Sequence, residues 1–262
     1  MADPTYAYGD SQVAGDRLAL LAEVFEPTTR AFLEVAAPRP VALAVDLGSG
    51  PGFTTRLLSE VCGAARTVGL ESSAAFVARA RQELAGVGGH LGREVEVVEH
   101  DVTVVPFPVG GADLAFARYL LAHLPDPEDL IERWLGQLRV GGRLLVEEIV
   151  SIDTTDDVLG RYVELVTALS AAQGTDLLVG RRLGGRGPVV HDEIVTIAPA
   201  PAVVARLFAM NLGVWREGAW ARAELDPAEL DRLDEALGAL AGAPPPVGAI
   251  TWRHRQLAYT RR

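Results

Sequence analysis

Short apolar runs alternate with segments of helical periodicity through the middle of the chain. The apolar runs cover residues 41–45, 67–70, 95–99, 112–117 and 143–150. Apolar residues recur at helical spacing over 54–61 and 74–84, and over a segment that starts at Asp126-Pro127 and ends at Gly141-Gly142. Strands that alternate with helices of these lengths form βαβ units, and uninterrupted apolar runs are typical of strands buried on both faces. We therefore predict a parallel sheet covered by helices on both sides.

Regular patterns also occur on either side of this region. We predict two N-terminal helices separated by Pro27, because proline interrupts a helix. The other predicted elements are helices over 157–173, 177–183, 199–215 and 227–240 and strands over 189–197 and 249–259. The interval between the last two strands is too long for a plain connection and predicts a small helical cap. The chain thus divides into an N-terminal helical lid (1–37), an α/β core (38–198), a helical cap insertion (199–246) and the last strand of the core sheet (247–262).

Composition limits the available chemistry. The 262 residues include 24 basic side chains, all of them arginine, and 35 acidic ones, for a net charge of −11. The absence of lysine excludes Schiff-base and P-loop lysines. The negative charge disfavours nucleic acid as a partner and favours a cationic ligand.

The single cysteine, Cys62, cannot form an internal disulfide. The N-terminal residues lack a basic segment followed by an apolar stretch, and no apolar run approaches the ~18–20 residues of a membrane span. We expect a cytoplasmic protein without membrane contact.

A glycine-rich turn follows the first predicted strand, in the segment Asp46-Leu-Gly-Ser-Gly-Pro-Gly52. Such a turn between a strand and a helix allows backbone N–H groups to approach a ligand. The dinucleotide fingerprint requires a third glycine where this chain has Phe53. An NAD(P)-dependent oxidoreductase is therefore a weaker alternative.

The segment Val45-Asp-Leu-Gly-Ser-Gly-Pro-Gly52 resembles the first motif of class I S-adenosylmethionine-dependent methyltransferases, of the small-molecule type. Glu71 ends the second predicted strand, where this family has the acid that binds the ribose hydroxyls. His100-Asp101-Val102 resembles the element that reads adenine, and Val140-Gly-Gly-Arg-Leu-Leu-Val146 resembles the turn and strand that close the family's core. The resemblance implies a doubly wound, mostly parallel α/β sheet of seven strands, Rossmann-like, with an antiparallel last strand.

The resemblance also implies a set of cofactor contacts. S-adenosyl-L-methionine would be the cofactor, leaving S-adenosyl-L-homocysteine as the product. The implied cofactor residues are Asp46 and Gly48 at the methionine ammonium and turn, Gly50 and Gly52 at close backbone approach, Glu71 at ribose, Ser72 beside adenine, and Asp101 with Val102 at adenine. Asp46 could instead orient the turn, and Ser72 could instead cap the next helix.

Candidate acceptor-side residues follow the fourth predicted strand. Arg118 could bind the cofactor carboxylate or an acidic acceptor, or could form a structural ion pair. His123 is the candidate general base, and its alternative role is to shape the pocket. Glu147 or Glu148 could act as a base, but because they alternate along one strand we expect one of them to contact a helix or lie at the sheet edge. Tyr6 and Tyr8 resemble aromatic residues of a lid, and we predict no metal site.

These observations predict methyl transfer from S-adenosylmethionine to a small organic acceptor, with a secondary metabolite as one candidate. The alternative is a methyltransferase-like fold that binds the same cofactor but catalyses another reaction, such as a cyclisation. The expected partner is the small-molecule acceptor, and a homodimer is a candidate assembly.

Overall fold

One mixed sheet organises the molecule. The computed structural model describes residues 11–89, 92–185, 187–243 and 249–262. Seven strands lie within these residues: β1 (Leu43–Leu47), β2 (Arg66–Glu71), β3 (Glu94–Glu99), β4 (Ala112–Arg118), β5 (Leu138–Thr154), β6 (Val189–Ile197) and β7 (Ile250–Thr260). They pair in the order β3-β2-β1-β4-β5-β7-β6. β1 to β5 are parallel, and β7 lies antiparallel between β5 and β6. The predicted sheet, including its antiparallel last strand, is confirmed.

Helices cover both faces of this sheet. The described helices are α1 (Gln12–Ala36), α2 (Phe53–Cys62), α3 (Ala74–Glu83), α4 (Pro127–Leu135), α5 (Asp157–Ala172), α6 (Pro201–Trp215), α7 (Ala219–Glu224) and α8 (Pro227–Ala241), with 3₁₀ turns at Leu121–His123 and Val179–Arg181. α4 packs on one face through the buried Trp134, while α1 and α2 pack on the other face around Phe116. Burial of these apolar side chains drives the layered arrangement.

A crevice forms at the carboxyl ends of the central strands. β1 pairs with β2 on one side and with β4 on the other, so Asp46 lies opposite Gly69 and Phe116. The chain order changes direction at this point, and open α/β sheets bind ligands at such switch points. The glycine turn after β1 therefore opens onto the position where the fold favours a ligand.

The N-terminal lid differs from the prediction in one respect. α1 is a single helix that continues through Pro27, not two helices separated there. Pro27 lies on the exposed side of α1, while Phe25, Thr29 and Phe32 are buried along the helix. A proline inside a helix removes a backbone hydrogen bond and costs about 3 kcal/mol. Burial of the opposite side of α1 along its whole length offsets this cost.

Two boundaries in the core also differ. The helix predicted to reach Gly141-Gly142 ends at Leu135, and β5 begins at Leu138. The glycines lie within β5, where a bulge interrupts its pairing with β4 and an added Cβ on Gly142 would lie 2.9 Å from the Ala112 carbonyl oxygen. The helix predicted over 177–183 is only the 3₁₀ turn Val179–Arg181.

The cap lies between β6 and β7 in sequence. α6 and α8 pack together with α5, with Phe25 of α1 and with Trp252 of β7, in one apolar cluster. α5, predicted as part of the core, thus contributes to the cap as well. None of the helices in the described part of the chain has the length and apolar character needed to cross a bilayer.

Candidate functional site

The glycine turn holds backbone conformations that suit glycine. Gly48 has φ 65° and Gly50 has φ 52°. A Cβ on Gly48 would lie 2.7 Å from the Leu120 side chain, and one on Gly50 would lie 3.7 Å from that of Leu18 in α1. The turn is therefore packed against the β4 end on one side and lies under α1 on the other.

Asp46, at the end of β1, anchors the start of α2. One oxygen, Oδ2, accepts hydrogen bonds from the Thr54 and Thr55 hydroxyls at 2.6 and 2.7 Å. The side chain is almost fully buried, and this burial raises the pKa of Asp46 to about 6. These contacts fit the structural role considered for Asp46, and its contact with a cofactor ammonium stays a prediction.

Glu71, at the end of β2, joins the glycine turn to α3. Its Oε2 accepts the Gly50 N–H at 2.9 Å, and its Oε1 accepts the Ser73 N–H at 2.8 Å. Ser73, not Ser72, caps α3 by accepting the Phe76 N–H. Ser72 is exposed beside this cap, so the capping alternative considered for it is wrong.

Asp101 and Val102 follow β3 on the same edge of the sheet. Asp101 is exposed, and its Oδ1 accepts the Thr103 N–H at 2.8 Å. Val102 is buried, and its carbonyl oxygen accepts the Trp134 indole N–H at 2.8 Å. The His100 N–H donates to the Glu71 carbonyl oxygen, which brings this segment beside the β2 end. The structure thus brings the implied cofactor residues to one edge.

Arg118 lies between two buried acids. Its guanidinium lowers the pKa of both Asp46 and Glu147, although burial is the larger influence and raises both values overall. It donates to the Thr29 hydroxyl at 3.1 Å, and Thr29 donates to Glu147 Oε2 at 2.6 Å. Gln256 donates to the other oxygen of Glu147 at 2.7 Å. Arg118 therefore belongs to a buried network that ties α1 to β5 and β7.

Sequence reasoning did not find this network as a unit. Thr29 and Gln256 carry no motif, and they meet Glu147 only because α1 crosses the face of β5 and β7. The sequence signal for this network was the pair of charged residues, Glu147 and Glu148, inside an otherwise apolar strand. Glu147 and Glu148 are both fully buried, and each contacts a different part of the fold.

Glu148 holds the segment that carries His123. Its Oε1 accepts the N–H groups of Leu120 and Leu121 at 2.8 and 2.7 Å. Its Oε2 is buried without a hydrogen-bond partner among the described residues, and burial raises the pKa of Glu148 to about 8. This carboxyl group thus fixes the start of the 3₁₀ turn that ends at His123.

His123 is neutral at physiological pH. Burial, and secondly the Arg17 guanidinium, lowers its pKa to about 4. A neutral imidazole can accept a proton, but one with such a low pKa is a weak base. The geometry therefore fits a pocket-shaping role at least as well as the predicted role as general base.

Tyr119 adopts a strained backbone conformation directly after β4. Its φ is 53°, an uncommon value for a bulky residue, and its hydroxyl lies 3.1 Å from the ring nitrogens of His254. Phe25 packs edge-on against Tyr119 and contacts the His254 ring. Burial lowers the pKa of His254 to about 3, so this histidine is neutral. The pair closes the core below the crevice.

The first half of α1 (residues 12–25, here called the lid half) lies across the strand ends. Leu18 lies over Gly50, and Asp16 forms an ion pair with Arg79 of α3 at 3.0 Å. Arg17 is buried and donates to Asn211 of α6 at 3.0 Å. The lid half therefore connects the glycine turn with the cap. Tyr6 and Tyr8 lie outside the described residues.

A surface cleft of about 450 Å³ lies between Leu135 and Arg261, near the end of α4 and the start of β5. This is the edge of the sheet opposite the glycine turn. Within the described ranges, no group of three or more metal-ligating side chains comes together.

Comparisons with known proteins identify similar methyltransferases. Residues 45–146 match the family described as "Methyltransferase domain". The chain is 38% identical over 122 residues to trans-aconitate 2-methyltransferase of Azoarcus sp., a match that covers 45% of each chain. It is 28% identical over 242 residues to trans-aconitate 2-methyltransferase of Methylobacterium radiotolerans, covering 87% of this chain and 90% of that one.

A solved structure shows the same fold. Geranyl diphosphate C-methyltransferase of Streptomyces coelicolor, in complex with Mg²⁺, geranyl diphosphate and S-adenosyl-L-homocysteine, superposes with a TM-score of 0.51 at 16% identity. The match covers 98% of this chain and 87% of that one. At this identity the likeness concerns the fold.

Residues 45–146 thus correspond to a methyltransferase domain, and the match over most of the chain to the Methylobacterium enzyme supports a class I S-adenosylmethionine-dependent methyltransferase. The Streptomyces enzyme of this fold holds S-adenosyl-L-homocysteine, the product that S-adenosyl-L-methionine leaves after methyl transfer. Asp46, Glu71 and Asp101 end or follow three adjacent strands. Their carboxylate oxygens are of the kind that accepts hydrogen bonds from hydroxyl, ammonium and amino groups, and their contact with the cofactor stays a prediction. A pyrophosphate at this edge of the sheet would meet these negative charges, which disfavours a dinucleotide as the ligand.

Proposed function

We propose that this methyltransferase transfers the methyl group of S-adenosylmethionine to a small organic acceptor held between the lid half of α1 and the cap. The observation that carries the proposal is the link from Glu71 to the Gly50 N–H, which joins the ribose-binding acid to the glycine turn beneath Leu18. The cofactor half of the site is thereby ordered, and the cap bounds the remaining space.

The chain's residues divide the work of binding the cofactor. Gly48, Gly50 and Gly52 admit close backbone approach, and each oxygen of Glu71 keeps a lone pair for the ribose hydroxyls. Asp101 and Val102 are assigned to adenine, with Ser72 exposed nearby. Asp46 and Arg118 are assigned to the methionine end, where they provide opposite charges.

The reaction needs little covalent help from the protein. The bound cofactor supplies a methyl group on a sulfonium: an acceptor lone pair forms a bond to the methyl carbon while the carbon–sulfur bond breaks and its electron pair stays on sulfur, which becomes a neutral thioether. The protein holds the reactants in line and excludes water, an effect that can supply ~7–11 kcal/mol. His123 can take up a proton from a hydroxyl or amine acceptor, although its low pKa makes this contribution small.

The curated relatives support a small-molecule acceptor. Both trans-aconitate methyltransferases are named for a small organic acid, and the longer match includes most of the chain. The shorter match spans less than half of the Azoarcus enzyme, so the name of that enzyme does not assign its substrate to this chain. The acceptor class is therefore part of the proposal. A secondary metabolite is one member of the proposed acceptor class.

Calorimetric titration with S-adenosylmethionine and mass spectrometry of the products test the proposal together. We expect heat of binding, consumption of the cofactor, and an acceptor heavier by one CH₂ unit. Binding without any gain in acceptor mass would favour the alternative reaction, such as a cyclisation. No binding at all would overturn the proposal.

A further inference from the structure

A strained residue lies where the chain leaves β4. Tyr119 follows β4 directly and has a φ of 53°, in the left-handed region that glycine and asparagine tolerate but a bulky residue rarely adopts. Backbone strain of this kind persists only where the surrounding structure holds it, and it is concentrated at functional sites. The contacts of Tyr119 must therefore offset the strain.

Backbone contacts hold Tyr119 from both sides. Its N–H donates to the Glu147 carbonyl oxygen at 3.0 Å, which continues the pairing of β4 with β5. The next two N–H groups, of Leu120 and Leu121, donate to the Glu148 side chain at 2.8 and 2.7 Å. The chain therefore bends at Tyr119, from the end of β4 into the 3₁₀ turn.

The side chain of Tyr119 is anchored in the core. Its hydroxyl lies 3.1 Å from both ring nitrogens of His254, a fully buried residue of β7. A neutral imidazole has one nitrogen that accepts a hydrogen bond from this hydroxyl. Phe25, the last residue of the lid half, packs edge-on against the Tyr119 ring at 5.7 Å between ring centres. The ring is thus fixed by β7 and by α1 together.

The bend at Tyr119 places Leu120 against the glycine turn. The Leu120 side chain packs so closely on Gly48 that an added Cβ would lie 2.7 Å from it. Because Leu120 directly follows the strained residue, a relaxed φ at Tyr119 would redirect the Leu120 side chain. A single hydrogen bond is of the same order as the strain that it offsets. Loss of the Tyr119 hydroxyl should therefore loosen the contact between Leu120 and Gly48.

We propose that Tyr119 is a positioning residue of the cofactor site: its anchored, strained backbone holds Leu120 on Gly48 and keeps the glycine turn in the shape that binds the methionine end of S-adenosylmethionine. This inference rests on the proposed function, in which Gly48 serves that end of the cofactor. A preordered turn loses less conformational freedom on binding, so the anchor raises the affinity for the methionine end. Tyr119 acts through Leu120 and not by its own contact with the cofactor.

Two ligands separate this role from a general effect on stability. S-adenosylhomocysteine has the amino-acid end, whereas methylthioadenosine has the same adenine, ribose and thioether without it. Tyr119→Phe keeps the ring and removes the hydroxyl, and we expect it to weaken binding of S-adenosylhomocysteine about 3- to 10-fold, as measured by calorimetry. The affinity of this variant for methylthioadenosine, measured by NMR titration up to millimolar concentration, should equal that of the wild type.

A double-mutant cycle tests the anchor itself. His254→Phe removes the acceptor of the Tyr119 hydroxyl and keeps an aromatic ring in its place, so it should weaken S-adenosylhomocysteine as much as Tyr119→Phe does. The variant with both changes should bind no more weakly than either single variant, because the same bond is lost in each. Tyr259 is buried on β7 opposite Leu144, away from the strand ends. Tyr259→Phe is therefore the matched control and should bind both ligands normally.

The outcomes are distinct. Unchanged binding of S-adenosylhomocysteine by Tyr119→Phe, an equal loss for both ligands, or additive losses in the double variant would each overturn the role of Tyr119. The same loss in Tyr259→Phe would show that any buried hydroxyl has this effect, and would overturn it as well.

The proposed function is judged on the wild type. No binding of S-adenosylhomocysteine by the wild type would reject the proposed function, and the role of Tyr119 would be rejected with it. A product without an added methyl group would reject methyl transfer alone and leave the role of Tyr119 in cofactor binding intact.

Discussion

Glu71 and Gly50 are joined by a hydrogen bond of 2.9 Å between the carboxylate at the end of β2 and the backbone N–H of the turn after β1. The second oxygen of Glu71 accepts the Ser73 N–H at the start of α3. The carboxylate is thereby oriented by two elements before any ligand contacts it. A preorganised acceptor of this kind loses little conformational freedom on binding.

Replacing Glu71 should weaken cofactor binding. Glu71→Gln presents one oxygen and one NH₂ group to two N–H donors, so one of the two bonds is lost. We expect the affinity for S-adenosylmethionine to fall about 10-fold or more, as measured by calorimetry. Glu94→Gln, on an exposed position of β3, is the control and should bind normally. Equal affinity of Glu71→Gln and wild type would remove Glu71 from the cofactor site.

Gly48 should not tolerate a side chain. Gly48→Ala places a Cβ at a positive φ and 2.7 Å from the Leu120 side chain. Backbone strain of this kind costs about 1–3 kcal/mol, measurable by urea unfolding. Gly238→Ala, on the exposed side of α8 with open space around it, should instead stabilise the protein by about 0.5–1 kcal/mol. A Gly48→Ala variant as stable as the wild type would contradict the packed turn.

Glu148 should make stability depend on pH. Its pKa is about 8 in the folded protein, above the 4.5 of the unfolded chain, so the folded state holds the proton more tightly. The contribution of the Glu148 proton to the free energy of unfolding is fully present below pH 4.5 and is lost as the pH rises through 8. The free energy of unfolding then falls by at most about 1.4 kcal/mol per pH unit. Glu148→Gln cannot lose a proton and should show a flatter dependence between pH 6 and 8.5, measured by urea unfolding.

The comparison with wild type isolates Glu148. Other groups with shifted pKa values, such as Asp46, occur in both proteins and cancel in the difference. Parallel curves for wild type and Glu148→Gln would show that the carboxyl group has an ordinary pKa. Glu148→Ala should destabilise at every pH, because the N–H groups of Leu120 and Leu121 lose their acceptor.

His123 should remain neutral well below its usual pKa. Burial, and secondly Arg17, lowers the pKa of His123 from 6.5 to about 4. The free energy of unfolding therefore includes the full contribution of the neutral imidazole at pH 7, and this contribution is lost only as the pH falls below 6.5. The imidazole proton resonance, assigned by its absence in His123→Gln, should not shift between pH 8 and 5.5. A midpoint near 6.5 would restore His123 as an effective base.

Turnover gives an independent measure of His123. On a carboxylate acceptor, which has no proton to lose, His123→Ala should change kcat by less than about 10-fold, below the 10²–10⁴ of general-base catalysis. On a hydroxyl acceptor a loss of ~10² or more would assign the base role. His191→Ala, on the edge strand β6, serves as the matched histidine control.

The strands and the glycine turn were predictable from local pattern. Strands buried on both faces consist of consecutive apolar residues. The turn at Gly48, Gly50 and Gly52 needs glycine because its backbone has positive φ angles. Both features depend on neighbouring residues in the sequence. The continuity of α1 through Pro27 was not predictable, because it depends on what the other side of the helix packs against. The same holds for Thr29, Glu147 and Gln256, which are more than a hundred residues apart in sequence where they meet.

Both ends of the cap leave the sheet at the same edge. Ile197, which ends β6, pairs with Trp252 near the start of β7, so α6 to α8 are inserted in sequence between two paired strands. The cap is thus a long connection between two antiparallel strands, and a change in its length alters the loop-closure entropy only slightly. Lengthening this connection would therefore leave unchanged the pairing of β1 with β2 and β4 that positions the glycine turn.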